Sequence, residues 1–484
     1  MKLFKGRVWT TRGYCEAFIV DSEKIRWVGR NREVGEVTFD EVYDYGDDYI
    51  FPGFIDSHAH FTATGVDSMA LDLRNIQSKE ELLEILKEEA LNKGKGEWIW
   101  GIGWDESKFR DKAIPTKEEL DKVLPHNPVM LLRIDHHSCL VNQKAVELLN
   151  LSLDLDEIKS GWLKAEVNEL ARARFWERMP EEIIEEGIGR AVKLALSKGI
   201  TLVNALEGGE WFSNRALIKL MEMRNSLPIK VVIFPQFTDV DEVLSMGFRR
   251  IGGCVTIDGS FGSRTAALFE PYEDEPSTCG RLYFTERSLY DFFFKAHRAG
   301  LQIAVHAIGD RAIDLALKCY EWVLKELPQD DHRHRIEHFE LPPEDGIERA
   351  LEIGLVVSVQ PTFETLWGGP YGMYASRLGK RWKRTNPLKT MVKMGLILAG
   401  GSDSDVTPMD PLLGIRSAMN LPNEDERLTL DEAVKMYTYN GAYAVFMERE
   451  WGDIKEGFWA NFVVVSPNLS EIKATYVKGE RVFP

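Results

Sequence analysis

His58 and His60, one residue apart in Phe51-Pro52-Gly53-Phe54-Ile55-Asp56-Ser57-His58-Ala59-His60, are types and a spacing that can share a metal ion. A strand turns alternate side chains to the same face, so the two imidazoles point one way and Ile55 and Ala59 the other. Imidazole is a common ligand for zinc, nickel and iron. Taken alone, the pair reads equally well as two exposed strand histidines, and the metal reading depends on partners further along. His306, His338 and Asp403 supply them, each lying just after a short apolar run. Four imidazoles and a carboxylate on strand ends would hold a divalent ion, most simply zinc, one or two per chain. A metal-bound water loses its proton near neutral pH and attacks a polarised carbonyl or ring carbon. Asp403, an acceptor when ionised, is the candidate base and later the acid.

The elements that must carry these residues form a rhythm. From residue 200 onward, apolar runs begin near Ile200, Lys230, Gly253, Leu301, Arg335, Leu355 and Leu396, and many of the intervening segments can hold a helix. With Phe54 to Ser57 they make eight strands. Alternating strands and helices imply parallel strands with crossovers, and eight of them imply a (β/α)8 TIM barrel, in which catalytic groups sit at the C-terminal strand ends. His58, His60, His306, His338 and Asp403 would then converge. An open doubly wound sheet is the structural alternative. Neither Gly-x-Gly-x-x-Gly after the first strand nor a phosphate-loop signature occurs, which weakens nucleotide-binding versions of it.

Both chain ends are β-rich: Arg7 to Thr10, Ala17 to Val20, Ile25 to Val28, Phe462 to Val465 and Ala474 to Val477. A small β-sandwich domain composed of residues 1–50 and 445–484 is expected around a barrel of residues 51–444. Within the barrel, residues 62–185 read as an inserted subdomain. It holds a helical stretch from Lys79 to Lys93, apolar strands Trp98 to Trp104 and Val129 to Ile134, and helices through Arg172 to Lys198. Its segment Arg133-Ile134-Asp135-His136-His137-Ser138 is either a lid over the active-site mouth or a solvated loop.

Composition bounds the partners. Hydrophobic residues at 44% and charged residues at 28% suit a globular enzyme and exclude wholesale disorder. A net charge of −17 argues against nucleic-acid or anionic-membrane partners, which need a basic surface. A small neutral or cationic substrate fits better, and a homo-oligomer is compatible. The first residues lack a signal-peptide apolar segment and no run is long enough to span a bilayer, so a soluble, cytoplasmic protein is expected. Five scattered cysteines without Cys-x-x-Cys form neither a disulfide framework nor a zinc knuckle.

Phe51 to His60, His306-Ala307-Ile308-Gly309-Asp310, Arg335-Ile336-Glu337-His338 and Gly401-Ser402-Asp403 together resemble the metal-binding signatures of the amidohydrolase superfamily. Asp258-Gly259-Ser260-Phe261-Gly262-Ser263-Arg264-Thr265-Ala266 and Ser358-Val359-Gln360-Pro361 narrow the resemblance to the branch that includes N-substituted formamide deformylase. It spans nearly the whole chain. It implies a hydrolase of C–N bonds with His58 and His60 on one metal, His306 and His338 on a second, and Asp403 as ligand and proton acceptor. Where that branch places a bridging lysine, four residues before the Asp-Gly, this chain has Cys254. A thiolate is a good zinc ligand, and Cys254 is either that or a small buried apolar group. Arg264 and His137 are the substrate-orienting candidates, against a rim ion pair and a solvated loop residue. Deamination or ring opening of a heterocycle is the alternative chemistry, and a non-catalytic ligand-binding relative is a third reading.

Overall fold

The structure, a computed structural model, describes residues 1–35, 37–106, 109–110, 113–134, 138–151, 156–209 and 213–484. Its contacts divide the chain into two units, one of Met1–Phe61, Ala191–Glu207 and Met221–Pro484, the other of Thr62–Arg190 and Gly208–Leu220. Among the described residues, no helix is long and apolar enough to cross a membrane.

In the first unit both chain ends enter one seven-stranded sheet, in the order Glu480–Phe483, Ile472–Val477, Phe462–Val465, Glu41–Pro52, Lys2–Thr10, Gly13–Asp21, Lys24–Gly29. Every pairing is antiparallel except that of Lys2–Thr10 with Glu41–Pro52. Phe4, Phe18, Ile50, Phe462, Val464 and Tyr476 form its core, with Phe462 stacked on Tyr476 at 4.4 Å between centroids.

The same unit holds two wholly parallel sheets. One has Phe54–Ala59, Ile200–Glu207 and Lys230–Pro235, with Ile200–Glu207 in the middle. The other runs Arg250–Ile251, Gln302–Ala307, Arg335–His338, Val356–Val359, Ile397–Gly400 in sequence order. Most of their residues are buried, as parallel strands covered on both faces must be, and this is why each reads as an apolar run. Helices that include Glu286–Arg298, Asp310–Glu326, Gly346–Glu352 and Leu388–Met394 fill the crossovers. Thr285 starts the first of these, its hydroxyl accepting from the Ser288 N–H. Lys230–Pro235 lies beside Arg250–Ile251, and Ile397–Gly400 beside Phe54–Ala59.

One expected strand is shorter and earlier than its apolar run. Instead of starting near Gly253, it comprises Arg250–Ile251 alone and stops at Gly252 and Gly253, whose φ values are +93° and +57°. A Cβ on Gly252 would lie 2.1 Å from the Ala304 carbonyl oxygen, so only glycine allows this approach. The turn delivers Cys254.

The second unit carries a five-stranded sheet ordered Trp162–Lys164, Ser138–Val141, Val129–Arg133, Ile99–Trp104, Leu71–Asp72. Leu82 and Leu86 of the helix Lys79–Asn92 join Ile99, Trp104, Val129 and Leu131 in its core. His137, with Asp135 and His136 of the proposed lid segment, lies outside the described residues.

A second group of histidines is spent on structure. His334 Nδ1 accepts from the Ile303 N–H (3.0 Å), so its proton sits on Nε2, which donates to His297 Nδ1 (2.8 Å). His297 in turn donates to the Leu327 carbonyl (2.8 Å). His332 accepts from the His334 N–H (2.9 Å) and donates to the Ile353 carbonyl (2.7 Å). Every ring nitrogen is used in the neutral form. Burial, reinforced by the neighbouring imidazoles, holds His334 well below the ordinary histidine range, and burial holds His332 below it. A depressed histidine contributes stability that is intact above the unfolded value of ~6.5 and is lost as pH falls, because the unfolded chain takes up the proton first. His334→Gln should therefore flatten the fall in stability between about pH 6 and 4.5 by up to ~1.4 kcal/mol per pH unit. Chemical denaturation across that range measures it, and parallel profiles for the two proteins would show that His334 is charged in the fold.

Candidate metal centre

His58 is the last residue but one of the strand Phe54–Ala59 and His60 follows the strand directly; His306 is near the end of Gln302–Ala307; His338 ends Arg335–His338; Asp403 follows Ile397–Gly400 by three residues. All leave their strands at the C-terminal end. Two backbone bonds tie the first and last of these strand ends together: Asp403 N–H to the His58 carbonyl (2.8 Å) and His60 N–H to the Ser404 carbonyl (2.6 Å). Gly401 permits the approach, since a Cβ there would lie 2.6 Å from that of His58. His338 and Asp403 adopt the left-handed region, φ +72° and +54°. Such conformations cost about 1 kcal/mol or more and gather at functional sites.

The side chains meet. Asp403 Oδ1 is 3.1 Å from His58 Nε2 and 3.3 Å from His60 Nε2. Cys254 Sγ is 3.8 Å from His306 Nδ1 and 3.9 Å from His338 Nε2. One ligand atom from each of His58, Cys254 and His338 lies within 4.8 Å of the others, and so does one from each of His58, His60 and Asp403. The histidines and Asp403 are buried, while Cys254 keeps partial exposure. The structure thus brings together six residues singled out in the sequence. Arg264 is otherwise engaged: at φ +58° its guanidinium forks onto Asp274 (3.1 and 2.9 Å), which Arg377 also grips, so it fastens a loop.

Partners on the far side orient the rings. His58 Nδ1–H donates to Glu337 Oε2 (2.7 Å), His338 Nδ1–H to Gln360 Oε1 (2.8 Å) and His306 Nε2–H to the Gly259 carbonyl (3.1 Å). Each bond fixes a tautomer and turns the other nitrogen's lone pair inward. Asp258 accepts from the N–H groups of Ala267 (2.8 Å), Ile308 (3.0 Å) and Gly309 (2.9 Å), holding the loop after His306. Asp56 does the same for Asp403's loop, accepting from Ser402 N–H (2.9 Å) and Oγ–H (2.6 Å). Glu337, Gln360, Asp258 and Asp56 were not candidates from the sequence. They lie inside the segments that carry the resemblance, but which ring each one meets depends on which strands are neighbours.

Charge separates in the cluster. Burial raises Asp403, but the His58 charge and hydrogen bonds from His58 and His60 outweigh it and hold its carboxyl well below the carboxylate range. Cys254 is driven well below an ordinary thiol against its burial, by the His58 charge and bonds from His306, His338 and His58. His60 overcomes its burial through hydrogen bonds to Asp403 and Cys254 and rises to about 10. A divalent cation in the same place would supply that positive charge with all imidazoles neutral.

A family model described as the amidohydrolase family matches residues 41–483. A putative amidohydrolase, YtcJ of Bacillus subtilis, is 31% identical, covering 90% of this chain and 89% of its own. N-substituted formamide deformylase of Arthrobacter pascens is 25% identical, with 95% and 91% covered. Among solved structures, a metal-dependent hydrolase from Pyrococcus horikoshii superposes with a TM-score of 0.82 at 29% identity, over 100% of both chains.

Proposed function

The chain belongs to the amidohydrolase family, and from that premise we propose that it hydrolyses an amide-type C–N bond of a small molecule, with zinc as the metal. One observation carries the site: six ligand-type side chains from five strand ends crowd into one cluster, with Cys254 Sγ 3.8 and 3.9 Å from imidazole nitrogens of His306 and His338. His58 Nε2 is buried with Asp403 Oδ1 only 3.1 Å away. Donors ~2.0–2.3 Å from a tetrahedral zinc stand about 3.3–3.6 Å apart, close to the separations seen here. His58, His60, Cys254, His306, His338 and Asp403 are the residues that would hold one or two ions, and thiolate with imidazole favours zinc over magnesium.

A bound divalent ion supplies Lewis acidity and makes water acidic enough to attack at neutral pH. The protein supplies the proton path. Asp403 Oδ1 faces two imidazoles, leaving Oδ2 to take the proton of the attacking water and return it to the leaving nitrogen. Water adds to the carbonyl carbon, the C–N bond breaks, and the products are a carboxylic acid and an amine. Phe363, stacked on His338 at 5.9 Å between centroids, and Trp367, 4.9 Å from Phe363, give this region an aromatic wall.

Supporting a closed (β/α)8 barrel are the two parallel sheets, whose outer strands lie side by side, and ligands that all leave C-terminal strand ends. In this reading, residues 1–50 with 445–484 form a composite β domain and 62–185 an inserted subdomain.

The test is a substrate panel with metal analysis. N-substituted formamides and acylated amines are expected to turn over with zinc near one or two equivalents. Turnover of purine or pyrimidine amines alone would replace amide hydrolysis by deamination. Full turnover with less than about half an equivalent of transition metal would overturn the ligand set.

A further inference from the structure

We propose that Glu337, braced by Arg335, is a positioning residue that sets how tightly His58 holds a metal ion; the inference rests on the ligand reading above. Arg335 and Glu337 share the strand Arg335–His338, and both side chains are fully buried. The guanidinium forks onto the carboxylate, Nε to Oε1 and Nη2 to Oε2, each at 2.8 Å. The same Nη2 donates to the Ser57 carbonyl (2.7 Å), the residue before His58, while Glu337 Oε2 accepts from His58 Nδ1–H (2.7 Å). One ion pair therefore grips both the ring of His58 and the backbone that carries it.

Two consequences follow for the metal. With its proton fixed on Nδ1, His58 must present the Nε2 lone pair, the atom that faces Asp403. An anionic acceptor also makes the ring a stronger donor than a neutral one does. His338 leans on a neutral amide and His306 on a backbone carbonyl, so His58 alone among these three has a carboxylate behind it. It is also the residue common to both ligand groups, His58–Cys254–His338 and His58–His60–Asp403. The strongest outer partner stands behind the ligand on which both groups depend. Arg335 fixes the orientation of that carboxylate through its two-bond fork, so that Oε2 stays turned towards His58.

The experiment titrates zinc into metal-stripped wild type, Glu337→Gln and the double variant Arg335→Met/Glu337→Leu, following binding by calorimetry and folding by circular dichroism and thermal melting. Replacing both charges with apolar groups of similar size spares the fold a lone buried ion. Zinc should bind about 10–100-fold more weakly to the double variant, with Glu337→Gln between it and wild type because its amide still accepts from Nδ1–H. A double variant that melts like wild type and binds zinc equally well overturns the inference, leaving the pair a purely structural role. Should the double variant not fold, unchanged zinc affinity in Glu337→Gln overturns it as well. A wild type that takes up no zinc overturns the ligand assignment itself, and this inference with it.

Discussion

Replacing Asp403 with asparagine is expected to lower turnover by roughly 10²–10⁴-fold while leaving the fold intact. The substitution keeps size and shape, and asparagine tolerates the left-handed backbone that Asp403 adopts at φ +54°. What it removes is the capacity to accept a proton. The neighbouring His58 and His60 hold the carboxyl well below the carboxylate range despite burial. An amide in the same place offers one weakly basic oxygen, already facing His58 and His60, and an NH2 that cannot take the proton of attacking water. Some metal should remain, since the four imidazoles and Cys254 are untouched. Turnover number and metal content must therefore be measured on the same preparation. Near-normal turnover with normal metal would dismiss Asp403 as the base and move the proton to another group.

That Asp403 could be singled out from sequence, and Glu337 not, has a physical reason. A ligand at the end of a parallel strand is announced by the buried run before it, which is why His306 and His338, at the ends of Gln302–Ala307 and Arg335–His338, and Asp403, after Ile397–Gly400, stand out. Glu337 is part of such a run, but its role depends on reaching His58, a residue 279 positions away in the chain. No local period encodes that pairing. The fourth strand of the rhythm failed for a different reason. Gly252 and Gly253 look like part of an apolar segment, yet their positive φ values end the strand at Ile251. For Arg264 the sequence left a substrate role and an ion pair open, and the fold displays the ion pair, with Asp274 ten residues on. Terminal strands such as Phe462–Val465 were legible, but the insertion of Glu41–Pro52 between them and Lys2–Thr10 was not, because sheet order is a long-range property.

Cys254 carries the second large effect: both Cys254→Ala and Cys254→Ser should lose metal and activity together. Its Sγ lies 3.8 Å from His306 Nδ1 and 3.9 Å from His338 Nε2, and the thiol is held well below its ordinary range by the charge of His58 and bonds from the surrounding histidines. A cysteine that merely packs in apolar surroundings is pushed the other way, as burial does to Cys139, raised to about 12. Serine nearly preserves the volume but stays protonated and is a poor zinc ligand, so it should fail almost as badly as alanine. A packing role predicts the opposite order, with alanine tolerated, serine mildly destabilising and metal unchanged in both. As a direct ligand, Cys254 should cost at least the ~10–100-fold in metal affinity that follows loss of an outer partner. Zinc affinity and turnover of the two variants side by side decide between the roles, together with a sulfur–metal distance near ~2.3 Å in the loaded wild type. If both variants load fully and turn over normally, the thiolate is no ligand, and the four imidazoles and Asp403 alone hold the metal.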